Sequence, residues 1–455
     1  TYVKASDETH TEVGDRANDA VRVNGNELRC KVVGEGGNLG LSQRGRIEYA
    51  LAGGRLNTDF IDNSGGVDCS DHEVNIKIAL NLAGEAGKLT RARRDQLLAD
   101  MTEEVAGLVL RDNYLQSQAL SMIEVRAAER LGEHAHFIRQ LELEGLLNRS
   151  LEFLPSAEDL DERSKSGRGL TRPELAVVLA YSKMALYARL VESDVPEDPY
   201  LSRELGRYFP ERVQKRYGGL LGKHRLRREI IATATTNSLV NRMGPTFARR
   251  VQEDTGAEAA TVARAYTIAR ESFDIRDTWV DIEALDNSID TRVQYEMMIE
   301  TMRLLRFCTY WLITRPVGEL DIERQVTRLR PGLAELSTVL PERVQGGAAE
   351  RFTRARDAYV TAGVPAALAK RMAGLDPLHA GPDVVEVSAE LGLPVPHCAG
   401  TYFTLAEALG LDWLQDRAVR LKARNHWQAV ARGTLRDSVY RLQRRLCTLV
   451  LRGAR

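Results

Sequence analysis

Lys31-Val32-Val33-Gly34-Glu35-Gly36-Gly37-Asn38-Leu39-Gly40-Leu41-Ser42 is the stretch on which the reading of this chain turns. The run Leu28 to Val33 reads as a buried strand ending at Gly34, and Ser42 to Ala52 reads as a helix with Ser42 as N-cap and Gly53-Gly54 as its stop. Glycines at a strand-to-helix turn let a ligand approach the backbone closely, and the helix N-terminus offers free N–H groups to anions. Gly34, Gly36 and Gly40 spell GxGxxxG, a residue longer than the dinucleotide fingerprint between its last two glycines. Asp59 lies beyond the next extended run, where a ribose-binding acid would stand. Glycine clusters in such turns are common, so the spacing alone does not decide for a dinucleotide.

Working outward, Leu56 to Phe60 is a second short extended run and Asp62-Asn63-Ser64-Gly65-Gly66 a turn-rich loop. Ser70-Asp71-His72-Glu73 then has capping-box spacing and opens a helix through Ile76, Ile78 and Leu80. Strand, helix, strand is the grammar of an open α/β sheet. After residue 85 the signals are almost all helical. Leu97, Met101, Val105 and Leu108 form one stripe, and Leu175, Val178, Leu179 and Leu186 another. Met298, Met302 and Leu305 form a third, and Val439, Leu442, Leu446 and Leu449 a fourth. Thr171-Arg172-Pro173-Glu174 is another capping-box start, and breaks fall at Pro155 to Gly169, Val195 to Pro199, Val344 to Ala348 and Leu375 to Pro382. The expected fold is an α/β segment over residues 1–85 followed by a predominantly α-helical region over 86–455, subdivided near 155–170 and 340–350.

The bulk numbers fit that division. With 455 residues, 43% hydrophobic and 28% charged, the chain reads as a multi-domain globular protein. A formal net charge of −1 gives no field to draw in nucleic acid or an acidic membrane. No apolar run approaches the roughly 20 residues a spanning helix needs. Thr1-Tyr2-Val3-Lys4-Ala5 has no charged-then-apolar leader pattern, so the chain is expected to start mid-protein. Cys30, Cys69, Cys308, Cys398 and Cys447 are scattered, with neither a disulfide framework nor a CxxC pair, which points to a reducing cytoplasm.

Other groups invite blander readings. His72-Glu73 lacks the second histidine of a zinc-protease motif, because that position is Ile76, and Lys77 reads as an ion-pair partner of Glu73. His134 and His136 have no thiol or carboxylate cluster beside them, so no metal is expected. The basic runs Arg91 to Arg94, Arg225 to Arg228 and Arg441 to Arg445 read as solvated helix faces or interface contacts. Trp279, Trp311, Trp413 and Trp427 read as core or subunit-contact residues.

The run from Gly34 to Ile78 resembles the glutamate dehydrogenase superfamily. Glu35-Gly36-Gly37-Asn38 looks like its Glu-Gly-Ala-Asn element, and Asp62-Asn63-Ser64-Gly65-Gly66-Val67 like its Asn-Ala-Gly-Gly-Val loop. The likeness is greater to the large bacterial NAD-dependent enzymes, through Val13-Gly14-Asp15-Arg16-Ala17-Asn18-Asp19, Asn57-Thr58-Asp59 and Val67-Asp68-Cys69-Ser70-Asp71-His72-Glu73-Val74-Asn75. Leu170 to Ala176, Leu239 to Pro245 and His426-Trp427-Gln428 look like that family's helical C-terminal region. The resemblance implies that residues 1–85 end a Rossmann-like NAD-binding catalytic domain. It implies oxidation of L-glutamate to 2-oxoglutarate and ammonia with NAD as cofactor, in a cytoplasmic homo-oligomer.

Carried over position by position, Asn38 and Asn63 match asparagines that line the nicotinamide and its ribose, and an amide can both donate and accept there. Gly36, Gly37, Gly65 and Gly66 would supply close backbone approach, and Ser70 matches a hydroxyl that binds a substrate carboxylate. The residues also allow plainer roles, Ser70 as an N-cap, Asn63 as a turn residue and Asn38 as a loop residue. Motifs for the family's catalytic lysine and aspartate are not recognisable here and are expected upstream of Thr1. This chain would then form one wall of the active site and be inactive alone. Two other readings remain, a different NAD-dependent dehydrogenase using Gly34 to Gly40 as a phosphate loop, and a non-enzymatic helical assembly or regulatory region.

Overall fold

A computed structural model describes residues 1–315, 320–421 and 426–454. The side chains of His426 and Trp427 lie outside the described residues, so the expectations for them are not addressed. The chain separates into two compact units, Thr1–Arg250 and Val251–Arg455.

The first unit opens with a short parallel pair, β1 (Val3–Lys4) and β2 (Val23–Asn24). Val3, Leu41, Tyr49 and Leu56 make a small apolar cluster beneath it, with Leu28, Val33 and Ala50 packed against them. Four helices hold the glycine-rich turn and its neighbours: α1 (Gln43–Leu51), α2 (Ser64–Glu85), α3 (Thr102–Glu124) and α4 (Arg172–Val191). α1 starts as its sequence signals, with Ser42 in extended backbone and its hydroxyl accepting from the Gly45 amide at 3.0 Å. Gly45 faces β1, where a Cβ would lie 2.9 Å from the Lys4 carbonyl carbon. α4 also starts where expected: Thr171 and Glu174 close a capping box, and Leu175, Val178, Leu179 and Leu186 are all buried. α3 packs on both α2 and α4, and α1 packs on α4. The second unit is helical among the described residues; the helix Ala259–Ser272 packs on Thr291–Ile313 and Ile322–Arg343.

Several expectations are corrected. The predominance of helix stands, but a Rossmann-like sheet is not seen: β1 and β2 are the paired strands among the described residues. The runs Leu28 to Val33 and Leu56 to Phe60 are not strands. The first makes one isolated bridge, Val32 with Arg55, just before the second, and helical turns begin already at Asp59. A strand needs a neighbour along its length to satisfy its backbone, and here the pairing is confined to Arg55, while Val32 is 66% exposed. The Asn-Ser-Gly-Gly stretch is not a loop. α2 begins at Ser64, so Ser70 sits inside a helix rather than capping one. Glycine costs little in a first turn, and the close approach to Asn63 at Gly66 favours the missing side chain there.

The stripe through Leu97 and Met101 breaks at Met101, where the helix Arg91–Asp100 gives way to α3. In the helix His426–Gly453, Val439 is buried, but Leu442 and Leu449 are exposed and the inward face carries Gln443 and Cys447. Gln443 is satisfied there by donating to the Tyr402 carbonyl at 3.2 Å, which lets a polar residue occupy the core side. Trp279 and Trp311 are core residues whose indole N–H groups donate to Thr301 and Asp383, while Trp413 is exposed. Glu73 and Lys77 do form the expected ion pair.

Candidate functional site

The glycine-rich turn is held from below by charge. The Glu35 carboxylate is buried and accepts two bonds from Arg46 of α1, both 2.7 Å. Arg46 also stands 3.2 Å from Asp59. The other Asp59 oxygen accepts from the Leu39 amide at 2.8 Å, and Asp62 accepts from the Glu35 amide at 2.9 Å. Both ends of the segment from Glu35 to Leu39 are thus tied to the short helix Asp59–Asp62. The tie at Leu39 holds that residue at φ 59°, a left-handed conformation uncommon outside glycine. Asp59 is therefore not placed as a ribose ligand, because both of its carboxylate oxygens are engaged in supporting the loop.

A second layer joins motifs far apart in sequence. Arg172, in the first turn of α4, donates to the Asn57 side chain, and Asn57 donates to Asp62. The same guanidinium reaches Glu124 at 2.8 Å, Ser121 at 3.0 Å and the Ser117 carbonyl at 3.1 Å on or beside α3. Asn113 of α3 donates to the Ile61 carbonyl at 2.9 Å and to the Ser64 hydroxyl at 3.0 Å, fixing where α2 begins. Glu35, Arg46, Asn57, Arg172 and Asn113 were not singled out from sequence as site residues. The available signal was charge embedded in glycine- and turn-rich runs, where a solvated residue gains nothing from its position.

On this support two of the predicted ligand-binding residues meet. Asn63, the residue before α2, donates its amide to the side-chain oxygen of Asn38 at 2.9 Å, across 25 positions of sequence. Gly66 makes room for that arrangement: a Cβ there would lie 2.7 Å from Asn63 Oδ1. A Cβ on Gly65 would stand 3.4 Å from Val109 of α3, an ordinary van der Waals contact, so packing against α3 does not require glycine there. At Gly36 and Gly37 no atom of the described residues lies within 4 Å of where a Cβ would stand, so the space above the loop is open there.

Ser70 is exposed, and its hydroxyl donates to the Val67 carbonyl at 2.6 Å. It follows Asn63 by two helical turns and so shares its face. Val67, Val74 and Leu39 are exposed on this side, at 69%, 50% and 69%. The surface is a strip of amides, a hydroxyl and small apolar side chains on a rigid base.

Asp68 and His72 project from roughly the opposite side of α2. Their ligand-type atoms and that of Asp112, on α3, all lie within 4.8 Å of one another. Burial, together with the charge of Asp71, pushes the Asp68 carboxyl up to about 6. Asp112 keeps solvent contact, but its carboxyl lies among packed helix side chains, and that environment with Asp68 nearby raises it to about 6. Burial pushes the His72 imidazole down.

Comparison with known proteins gives two family matches along the chain. The family model described as "Bacterial NAD-glutamate dehydrogenase, catalytic domain" matches residues 1–123, and "Glutamate dehydrogenase, C-terminal" matches residues 167–455. Proteins named NAD-specific glutamate dehydrogenase from Halomonas elongata and Pseudomonas aeruginosa are each 46% identical over 451 residues, 99% of this chain. One of that name from Mycobacterium tuberculosis is 37% identical over the same length. The chain spans 28% of the length of each of these relatives.

Proposed function

The chain belongs to the large bacterial NAD-specific glutamate dehydrogenase family, matching its C-terminal part, and we propose that it furnishes one wall of that enzyme's nicotinamide and glutamate site. The reaction in this reading is NAD-dependent oxidative deamination of L-glutamate to 2-oxoglutarate and ammonia. The observation that carries it is the bond between Asn63 and Asn38, which sets two amides side by side on an exposed strip. Each amide uses one group on the other, and their remaining donors and acceptors suit a carboxamide and a sugar hydroxyl.

NAD fits these residues: the open space over Gly36 and Gly37 admits close approach, and exposed Leu39 and Val67 offer apolar surface for a flat ring. When bound, NAD supplies the hydride acceptor. The chain's own residues hold and orient: Asn38 and Asn63 toward the nicotinamide and ribose, Gly36, Gly37, Gly65 and Gly66 by close backbone approach, and Ser70 by donating to a substrate carboxylate. The groups that move the proton and activate water come, in this reading, from polypeptide outside this chain, consistent with its covering 28% of the relatives' length. Residues 1–85 are then the C-terminal part of the NAD-binding catalytic domain, its sheet completed elsewhere, and 86–455 the helical region, subdivided near 155–170 and 340–350. Assembly as a cytoplasmic homo-oligomer belongs to the same reading.

In the full-length enzyme, Asn63→Ala is expected to raise the apparent NAD constant and lower turnover. One neutral hydrogen bond is worth about 0.5–1.5 kcal/mol, or roughly 2- to 13-fold. Initial rates at varied NAD check this, and a variant kinetically equal to wild type would reduce Asn63 to a support for Asn38.

A further inference from the structure

On the far side of α2 from the cofactor strip, we propose that Asp68, His72 and Asp112 form a binding site for a divalent first-row cation, such as Mn²⁺ or Zn²⁺, that ties α2 to α3. The geometry supplies the ligand set. Asp68 and His72 are four residues apart on α2, one turn of the same face, and Asp112 comes from the neighbouring helix α3. His72 Nε2 is 3.9 Å from Asp68 Oδ1, and all three ligand atoms fall within 4.8 Å of one another. Adjacent ligands on a metal at ~2.1 Å stand roughly 3.0–3.4 Å apart, so side-chain rotation has to draw these atoms in by up to about 1.4–1.8 Å.

An independent observation points to a ligand. His72 is 2% exposed, yet neither of its ring nitrogens has a hydrogen-bond partner among the described residues. The second Asp68 oxygen is buried and unpartnered as well. Buried polar atoms are rarely left so, since each costs its full desolvation. A cation would take up the imidazole and both carboxylates at once. The ring is already oriented, stacked on Tyr208 with centroids 4.5 Å apart and an interplanar angle of 20°. Tyr208 is fixed in turn by donating to Asp71 at 2.7 Å and accepting from Asn75 at 2.9 Å. Charge is compatible. Asp68, Asp71 and Asp112 outweigh the facing cations Lys183 and Arg111, and Lys183 donates to Gln116 at 3.2 Å. Two carboxylates with one imidazole are the mixed oxygen and nitrogen donors that suit Mn²⁺ or Zn²⁺ better than calcium's all-oxygen shell. Remaining positions would be filled by water.

The site adds a role to α2 that is separate from cofactor and substrate binding, and it does not depend on the glutamate reading. The test uses the full-length enzyme, stripped with chelator and dialysed against Mn²⁺ or Zn²⁺ alone. Wild type is expected to bind an equivalent of metal that Asp112→Asn and Asp68→Asn each lose or hold at least roughly tenfold more weakly. Equal metal content in wild type and folded variants would overturn the proposal. A second readout needs no variant. Hydrogen exchange of the wild-type protein should slow on adding the cation in segments covering 64–76 and 108–116. Unchanged exchange in both segments at saturating metal would overturn it even if the variants failed to fold.

Discussion

Arg46→Met in the full-length enzyme is expected to release the loop from Glu35 to Leu39 and weaken NAD binding with it. Methionine keeps much of the volume but leaves Glu35 and Asp59 buried against each other without their cation; their side chains are 2% and 12% exposed. Removing one partner of a buried pair costs about 3–5 kcal/mol, because the remaining charge is uncompensated. The effect should be local and visible at the Glu35 and Leu39 amides, which donate to Asp62 and Asp59. Their hydrogen exchange should accelerate by roughly two to four orders of magnitude if opening is limited by this network. Glu35→Gln combined with Arg46→Met should recover part of the loss, since it removes one of the stranded charges. Unaltered exchange at both amides in Arg46→Met would show that the loop is held by something other than this network.

Ser70→Ala is expected to leave the fold untouched and impair glutamate use. Ser70 lies within α2, exposed, and among the described residues its hydroxyl is bonded only to the Val67 carbonyl in its own helix. It caps nothing, so the stability cost of an N-cap substitution does not apply. Alanine is the better helix former, and an exposed change of this kind stays within about 0.5 kcal/mol. A lost hydrogen bond to a carboxylate is worth about 1.5–3 kcal/mol, or roughly 13- to 160-fold in apparent glutamate affinity. Ser70→Asp should go further, because its negative charge repels the substrate carboxylate while NAD binding persists. Steady-state kinetics with glutamate and NAD varied separately checks both variants. Normal glutamate turnover by a folded Ser70→Asp enzyme would remove Ser70 from the site.

Local chemistry was legible in the sequence wherever neighbouring residues decide it. Ser42 and Thr171 start helices where their spacing says, and the buried stripe of α4 is the one its periodicity marks. The contact between Asn38 and Asn63 could be anticipated only from resemblance, since it spans a turn, a helix and a further short helix. The sheet was overread because apolar runs such as Leu28 to Val33 look alike whether or not a partner strand lies beside them. Ser70-Asp71-His72-Glu73 has the spacing of a cap, but Asp59–Asp62 and Asn113 start α2 earlier, and that tertiary placement overrides the local signal. The support beneath the glycines stayed hidden for the same reason: Glu35, Arg46 and Asp59 mean little apart, and the meeting of Asn57 with Arg172 joins residues 115 positions distant.

The central claim is that the strip formed by the loop from Glu35 to Leu39 and the outer face of α2 is a nicotinamide-binding wall. Hydrogen exchange of the full-length enzyme with and without NAD measures this directly. Binding should slow exchange in the peptides covering 34–40 and 62–70, with a further slowing around Ser70 when 2-oxoglutarate is added to the NADH complex. Protection by NAD elsewhere in the enzyme, with both of these segments unchanged at saturating cofactor, would contradict the account.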